Sequence, residues 1–449
     1  MADTTDRAGD TADPTTNGAA PDAVLRRAPF SDNPNVGARG QRTRQAILDA
    51  ALKVFGDIGY QRCSIDKIAK AAGCSRVSFY QYFSGKEDVF RRLAAQVDRE
   101  LAVSNERLDP ITPDAAGWAS VRAWADRYAD IYERYEPVFN TFPAAAESDV
   151  ALGEDAARLA DRYGVGFRAR VAQTDLRDRT LDPILEMLRE SMTRTLGDSS
   201  TLRHALPEAY SLADILDAYA DVVHRTLFGR LDDVNVHAHP GRSTAKLLSF
   251  GPVMEAVVAQ ASNGDSEPGR DGPTRRALLD AGRLVLVARG YHGTRIDDIA
   301  EAAGVAHGAF YRYFKNKEQL AQVLAAEAMR TVSTTLVEIP AVDVDDPNRR
   351  AALRRWLKAY NRVQSNETAM IRVWVDAALQ DEGLRTDSAA MLDWGRRRMS
   401  RFLGGRGFGD PDIDAVVLVA LVDAFGVRER SNDTIDAVAT IIERGFLGR

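Results

Sequence analysis

One block of sequence occurs twice in this chain. The copies begin at Thr43 and Thr274, as TRQAILDAALKVFGDIGY and TRRALLDAGRLVLVARGY, and align over 45 positions at a constant offset of 231 without a gap. Twenty-two of those 45 positions are identical, where chance would give only a few. A period this long excludes a solenoid of short repeats. The 449 residues are therefore predicted to hold two copies of one larger unit.

Composition along the chain gives the predicted domain boundaries. Residues 1–38 are rich in Ala, Asp, Thr, Pro and Gly and are predicted to form a disordered tail. Long segments with a 3.6-residue apolar period dominate the remainder, so we expect an all-α fold. We call the repeated block of each unit, with the helix that follows it, its head, and the rest of the unit its body. The other predicted divisions are head one at 39–101, body one at 102–261, a linker at 262–269, head two at 270–332 and body two at 333–449.

The duplicated block has the pattern of a helix-turn-helix. In the first copy, Ser64 can cap a helix over 65–71, Gly73 allows a tight turn, and Ser75 can cap a third helix that runs through Phe83. Two short helices joined by a glycine turn and packed on a longer first helix form this DNA-reading motif. In the second copy the corresponding features are Thr294 as the cap, Gly304 at the turn and 306–314 as the third helix.

Basic charge is concentrated in the two copies. The net charge is +6 over residues 39–86 and +4 over 270–317, whereas the whole chain carries −6, which leaves −16 on the rest. Two basic regions on an acidic remainder are typical of a nucleic-acid-binding protein. A solvated helix face would explain the charge alone, but not its coincidence with the same motif in both copies.

Both blocks resemble the N-terminal DNA-binding domain of the TetR/AcrR family of bacterial regulators. The resemblance rests on the stretch from the turn glycine to the final Lys-Glu, which reads GCSRVSFYQYFSGKE in one copy and GVAHGAFYRYFKNKE in the other. Family members usually carry one such domain per chain and dimerise, whereas this chain is similar to fused tandem versions among actinobacterial regulators. The resemblance implies two all-α units, each with a helix-turn-helix head and a helical body for ligand binding and dimerisation. We expect the units to pair within the chain as a pseudo-dimer, through 211–229 with 242–260 and through 412–429 with 433–446, while further oligomerisation stays open.

The resemblance also implies which residues contact double-stranded DNA, because it places the N-terminal end of the third helix in the major groove. Arg76 is the strongest candidate, since a guanidinium can bond guanine through two hydrogen bonds. The candidate base readers are Ser75, Arg76, Val77, Ser78 and Tyr80 in head one, and Ala306, His307, Gly308, Ala309 and Tyr311 in head two. The candidate phosphate contacts are Tyr82, Lys86, Tyr313 and Lys317, with Ser64 and Thr294 at the starts of the second helices. Arg42, Arg44 and Arg275 flank the first helices and are candidates either for backbone or minor-groove contact or for a solvated arm.

The two predicted reading segments are not alike. The sequence Ser-Arg-Val-Ser in head one corresponds to Ala-His-Gly-Ala in head two. A homodimer with one kind of head reads a palindrome, whereas two different heads should prefer unlike half-sites that are about 34 Å or more apart. We therefore predict a non-palindromic operator.

The resemblance further implies a ligand cavity in each body, with ligand binding shifting the separation of the heads. Candidate lining residues are Trp124, Tyr128, Phe139 and Phe142 in body one, and Trp356, Tyr360, Met370 and Trp374 in body two. An apolar stripe at helical spacing also fits plain core packing. The expected effector is a small apolar, lipid-like molecule.

Other function classes find little support in the sequence. Two cysteines indicate a reducing compartment, and no apolar run approaches the length of about 18 residues that a membrane span needs. No catalytic motif, metal-ligand set or cofactor loop is evident, so we expect no enzyme activity, no metal and no cofactor. The prediction is a cytoplasmic, ligand-responsive transcriptional repressor. The alternatives are an activator with the same heads, a ligand-binding protein whose heads no longer bind DNA, and an enzyme that uses the body cavities.

Overall fold

A computed structural model describes residues 37–60, 62–148, 152, 154, 165–231, 234, 248–249, 272–340, 347–378 and 382–448. These ranges are almost entirely helical, which confirms the predicted all-α class. The helices of the first half are α1 (Ala38–Ile58), α2 (Ile65–Ala71), α3 (Arg76–Tyr82), α4 (Lys86–Glu106), α5 (Ala115–Ser148), α6 (Asp178–Ala205) and α7 (Leu212–Phe228). Those of the second half are α8 (Pro273–Gly293), α9 (Ile296–Ala302), α10 (His307–Phe310), α11 (Lys317–Val337), α12 (Arg349–Ala378), α13 (Glu382–Leu403), α14 (Pro411–Gly426) and α15 (Asn432–Thr440), which continues as a π-helix over Ile441–Phe446. The predicted linker, and all but the last two residues of the predicted tail, lie outside the described ranges.

Head one folds as its sequence predicts. The side chain of Ser64 accepts a hydrogen bond from the Lys67 N–H at the start of α2, and Ser75 accepts one from the Ser78 N–H at the start of α3. Gly73 between these helices has a φ of +66°, which L side chains rarely adopt. The caps and the glycine therefore fix where α2 ends and α3 begins.

Head two begins its second helix differently from the prediction. The N-cap of α9 is Arg295, whose backbone N–H donates to the Asp298 carboxylate at 3.0 Å. The prediction that Thr294 caps this helix is wrong. Its hydroxyl is buried and donates to the Gly290 carbonyl at 2.8 Å, where the first helix of the head is interrupted by a positive φ.

The third helix of head two is shorter than predicted. Helix α10 spans four residues of the expected 306–314, whereas α3 spans seven. Ala306 at its N-cap has no side-chain oxygen to accept a first-turn N–H, and Gly308 has a helix propensity about 1 kcal/mol worse than alanine. The chain therefore leaves the α-helix after Phe310, and Tyr311 and Tyr313 lie in a hydrogen-bonded turn.

Helices of the first half pack directly against helices of the second half. Helix α14 lies against α6 and α7, α15 lies against α6, and the π-helical end of α15 lies against α7. Helix α14 is apolar on nearly all sides and is buried along most of its length, as a helix with partners all round must be. Three of the four predicted pairing segments thus take part in the contact. The fourth, 242–260, lies outside the described residues except for 248–249, and the contribution of α6 was not predicted.

Buried charges cross this contact. Arg225 on α7 is fully buried, its Nε donates to the Gly445 carbonyl at 2.7 Å, and its guanidinium lies 3.7 Å from the Asp414 carboxylate on α14. Arg194 on α6, whose side chain is 39% exposed, lies 3.4 Å from Asp423 on α14. Because a buried charge without its partner is costly, the Arg225–Asp414 pair favours the observed contact between the two halves, whereas the more exposed Arg194–Asp423 pair adds less.

Candidate nucleic-acid interface

Head one presents the N-terminal end of α3 to solvent. Ser75 and Arg76 are exposed, Val77 is 72% exposed, and Ser78 is half-buried. The opposite face of the helix is anchored by Phe79, which is fully buried. Val165 and Leu284 are equally exposed, so the position of Val77 at the start of α3, and not its exposure, makes it a candidate for contact with a thymine methyl group.

The Arg76 side chain is held by two neighbours in the same head. Its guanidinium lies 3.2 Å from the Asp66 carboxylate on α2 and 5.8 Å from the centre of the Tyr80 ring. Hydrogen bonding to Tyr80, followed by the charge of Asp66, raises the pKa of Arg76 further above its ordinary value. Arg76 therefore presents a permanently charged donor at the start of the reading helix.

Head two presents the corresponding residues in the same way. Ala306, His307 and Gly308 are exposed, and Ala309 is half-buried. The Nδ1 atom of His307 contacts the Asp297 carboxylate on α9, and its ring lies 5.3 Å from the ring of Tyr311. The structure thus brings the predicted readers of each head together on one exposed surface.

The four candidate tyrosines divide into two pairs. Tyr80 and Tyr311 each lean edge-on against the phenylalanine before them, at ring distances of 5.7 and 5.5 Å. Tyr82 is half-buried and packs against the core, whereas Tyr313 is 37% exposed. Each of the four side chains thus keeps part of its surface exposed to solvent.

The two candidate lysines are tied to the protein. Lys86 Nζ donates to the Tyr60 carbonyl at 3.2 Å, and Lys317 Nζ donates to the Tyr291 and Thr294 carbonyls at 2.6 and 2.9 Å. Burial lowers the pKa of Lys317. Both ammonium groups thus join the start of the fourth helix to the segment around the end of the first helix, and phosphate contact by either stays a prediction.

The candidate arginines of the first helices occupy different positions. Arg42 is exposed and lines a groove of about 470 Å³ with Ser75 and Ser78, next to the reading end of α3. Arg44 and Arg275 lie over the rings of Phe83 and Phe314, with guanidinium-to-ring distances of 5.9 and 5.5 Å. Arg42 is therefore next to the candidate base readers, whereas Arg44 and Arg275 cover the cores of the heads.

The two residues predicted at the starts of the second helices also differ. Ser64 is exposed at the N-cap of α2. Thr294 is only 3% exposed and uses its hydroxyl inside the head. Only Ser64 of this pair lies where a phosphate oxygen could reach it.

Asp66 and Asp297 are site residues that the sequence reasoning missed. They occupy equivalent positions of the two copies and contact the equivalent readers Arg76 and His307. An aspartate retained in both copies inside a basic, DNA-reading block was the available signal.

The candidate ligand residues of body one form one aromatic cluster. Trp124 is 1% exposed, and its ring lies 5.5 Å from Tyr128 and 5.3 Å from Phe167. Phe139 lies 6.1 Å from Tyr128, and Phe142 is half-buried against the same core. The structure therefore brings Trp124, Tyr128 and Phe139 together, whereas Phe142 is placed only against the large core.

The candidate ligand residues of body two separate into two places. Trp356 and Tyr360 stack 5.5 Å apart in the large core that the halves share. Met370 and Trp374 belong instead to the core of head two. The four residues predicted for body two do not surround one common space.

The fold and the exposed third helices define the class of the protein: each half begins with a helix-turn-helix DNA-binding domain. Both heads match the family described as bacterial regulatory proteins, tetR family, over residues 47–93 and 278–324. The chain therefore carries the DNA-binding domain of the tetR family twice, and its similarity to single-domain regulators of this type supports a tandem DNA-binding regulator. Within the described residues, no helix has the length and apolar character needed to span a membrane.

Individual relatives match one unit at a time. The HTH-type transcriptional repressor DhaR of Mycobacterium sp. (strain GP1) is 26% identical over 190 residues, which are 39% of this chain and 93% of the relative. The HTH-type transcriptional repressor AcnR of Corynebacterium efficiens is 28% identical over 131 residues, which are 28% of this chain and 69% of the relative. A solved transcriptional regulator (TerR/AcrR family) from Aquifex aeolicus VF5 aligns with 37% of this chain and 96% of its own, with 18% identity and a TM-score of 0.29. Nearly the whole length of DhaR thus corresponds to less than half of this chain, as the duplication requires.

Proposed function

We propose that this protein is a cytoplasmic transcriptional repressor that binds a non-palindromic operator with two unlike heads and is released from it by a small apolar molecule. The observation that carries the proposal is the exposed end of the third helix in each head. The two ends are built on the same scaffold but present Arg76 in one head and His307 in the other.

The readers support recognition of different bases. The Arg76 guanidinium can donate two hydrogen bonds to the N7 and O6 atoms of guanine in the major groove. The His307 imidazole has one ring nitrogen left for DNA and can make only one bond at a time. Val77 adds an apolar contact in head one, and head two has Gly308 at that position. Two half-sites of unlike sequence follow from this difference.

The contact between the halves supports binding of both heads to one DNA molecule. Helices α6 and α7 of the first half pack against α14 and α15 of the second half. This internal pairing takes the role that dimerisation has in a regulator with one head per chain. A single chain then suffices for one operator.

The relatives and the bodies support repression under the control of a ligand. DhaR and AcnR are both named as transcriptional repressors. The aromatic cluster around Trp124 in body one connects through α5 to α1 and α4 of head one. An apolar ligand that binds this cluster in only one arrangement of the heads shifts the population towards that arrangement. An activator with the same heads is the alternative, and a reporter gene distinguishes the two.

The test of DNA recognition is selection from a random duplex pool by the full-length protein at a stated, near-physiological salt concentration. We expect two unlike half-sites at a fixed spacing. The Arg76→Ala variant should lose base preference in one half-site only, and the His307→Ala variant in the other. A selected palindrome would contradict the two-reader proposal, and no enrichment by folded protein would contradict DNA binding itself.

The test of ligand control uses the selected operator. Small apolar molecules such as medium- and long-chain fatty acids are titrated into the complex, and DNA release is followed by fluorescence anisotropy. Trp124→Ala should weaken release, while Trp374→Ala, in the core of head two, serves as the comparison variant. Equal loss of release in both variants, or none in either, would contradict a ligand site in body one.

A further inference from the structure

Each head holds its reader with the same two partners, although the readers differ in chemistry. In head one, Asp66 on α2 and the Tyr80 ring contact Arg76. In head two, Asp297 on α9 and the Tyr311 ring contact His307. Each aspartate is the second residue of its helix, and the paired positions are separated by the same offset of 231 that relates the two copies.

These contacts contribute little to the stability of the heads. The Arg76 and Asp66 side chains are 59% and 65% exposed, and those of His307 and Asp297 are 51% and 75% exposed. Ion pairs this open to solvent are screened and add little free energy of folding. A role in orienting the reader explains why the arrangement occurs in both heads.

We propose that Asp66 and Asp297 are positioning residues that set the base preference of the two heads; the inference rests on the proposed function. In head one, both contacts to Asp66 come from Nη1 of Arg76. The carboxylate therefore holds Nη1, the hydrogen bond to Tyr80 holds a second part of the guanidinium, and the other N–H groups are left for a base edge. Bidentate reading of guanine requires such a fixed plane.

In head two, the same geometry sets what the imidazole can read. Asp297 occupies Nδ1, so Nε2 is the nitrogen left for DNA. In neutral imidazole, Nε2 is then an acceptor that suits the amino groups of adenine or cytosine, whereas in imidazolium it is a donor that suits guanine. His307 also lies against Tyr311 in the turn after α10, while Asp298, next to Asp297 in sequence, is paired with Arg289. Asp297 therefore decides which ring nitrogen of His307 faces the DNA.

The competing explanation is that each aspartate only masks its reader until DNA displaces it. Masking and positioning predict opposite results when the carboxylate is removed. Without a mask, the reader binds the operator more tightly and with unchanged base preference. Without a positioning partner, the reader loses discrimination among bases while the removal of negative charge strengthens binding to any DNA.

The experiment compares the full-length wild type with Asp66→Ala and Asp297→Ala by selection from a random duplex pool and by competition with nonspecific DNA. Asp57→Ala and Asp280→Ala are matched controls, because each removes one exposed carboxylate from the first helix of the same head. We expect Asp66→Ala and Asp297→Ala to lower the ratio of specific to nonspecific affinity about fivefold or more, each at its own half-site. The controls should leave base preference as in the wild type.

A second variant tests the positioning role by rescue. His307→Arg gives head two the reader of head one beside an aspartate already in place. This variant should select guanine at the contacted position more strongly than the wild type does. The double variant Asp297→Ala/His307→Arg should discriminate less sharply than His307→Arg alone.

The outcomes separate this inference from the proposed function. If the wild type selects an operator and the two aspartate variants match their controls, or bind that operator more tightly with unchanged base preference, positioning is wrong while DNA reading stands. If the wild type selects no DNA, the proposed function and the inference both fail. Circular dichroism of each variant, expected to match the wild type because the replaced side chains are exposed, excludes unfolding as the cause.

Discussion

The two heads share a scaffold and differ at its reading end. Both place a glycine with positive φ between the second and third helices and bury the first phenylalanine of F-Y-x-Y-F. In both, the lysine at the start of the fourth helix donates to a tyrosine carbonyl near the end of the first helix. The reading helix, in contrast, has seven residues and a serine cap in head one, and four residues without a side-chain cap in head two. The two copies thus agree at positions that stabilise the head and differ at several of the candidate DNA contacts.

The heads also differ in how they join the rest of the protein. The core of head one is continuous with body one and with the contact between the halves. The core of head two is a separate cluster, joined by Met370, Val373, Trp374 and Met391 from body two. The buried apolar residues of head two are therefore grouped apart from the shared core, although α8 and α11 of this head still pack on α12 of body two.

The largest expected effect comes from emptying the cores. Phe79→Ala and Phe310→Ala each remove a fully buried ring, at a cost of about 3–5 kcal/mol. Phe310→Ala should let head two unfold before the rest of the chain, whereas Phe79→Ala should lower the stability of the first half as a whole. Calorimetry with hydrogen exchange resolves the two patterns, and identical patterns would contradict the difference in core continuity.

The next effect concerns the caps of the reading helices. Ser75→Ala removes the oxygen that accepts the Ser78 N–H and should cost about 1 kcal/mol. Ala306→Ser places an acceptor at the equivalent position and should slow amide exchange at the start of α10. Urea unfolding monitored head by head measures both changes. If Ala306→Ser leaves α10 unchanged, the missing cap is not the reason for its length.

A smaller effect is expected at Gly308. An added Cβ there meets no atom within 4 Å, so alanine fits without displacement. Gly308→Ala should stabilise head two by about 0.5–1 kcal/mol by favouring helix. The same change at Gly304, whose φ is +67°, should destabilise instead, and it serves as the opposite control.

The smallest effect is a difference in acid sensitivity. Hydrogen bonding to the Arg295 N–H, together with Arg289, lowers the pKa of Asp298 at the start of α9. A lowered folded-state pKa means that this stabilisation is present above the ordinary pKa of about 3.9 and is lost as the pH falls through the folded value. Head one starts α2 with the hydroxyl of Ser64, which does not titrate. Lowering the pH from 6 to 3 should therefore weaken α9 more than α2 in hydrogen exchange, and Asp298→Asn should remove the difference.

Much of head one could be predicted from the sequence because its signals are local. A cap, a turn glycine and an apolar face each act within a few residues, and Ser64, Gly73 and Ser75 take the predicted roles. The prediction for Thr294 was wrong because a hydroxyl near a helix start can also donate to a carbonyl that precedes it in the chain. The Thr294 hydroxyl is buried and donates to the Gly290 carbonyl. Helix α10 is shorter than predicted because both heads share the F-Y-x-Y-F pattern, but only head one has a serine cap at the start of its third helix.

The rest depended on contacts between distant residues. No local pattern indicates that Arg225 reaches the Gly445 carbonyl, or that α6 packs on α14. The separation of Met370 and Trp374 from Trp356 and Tyr360 likewise depends on where along α12 head two docks. Apolar spacing identifies residues that will be buried, and it does not say against which neighbour.

The presence of both heads on one chain has a consequence for how DNA specificity changes over generations. In a regulator built from identical subunits, every substitution in the reading helix alters both half-sites at once, so an altered operator must change twice to follow it. In the proposed function, a substitution at Arg76 leaves the half-site read by His307 unchanged, so the operator can change one half at a time. A tandem chain of this kind would allow small, separable steps in recognition, each of which keeps one head bound to its original site.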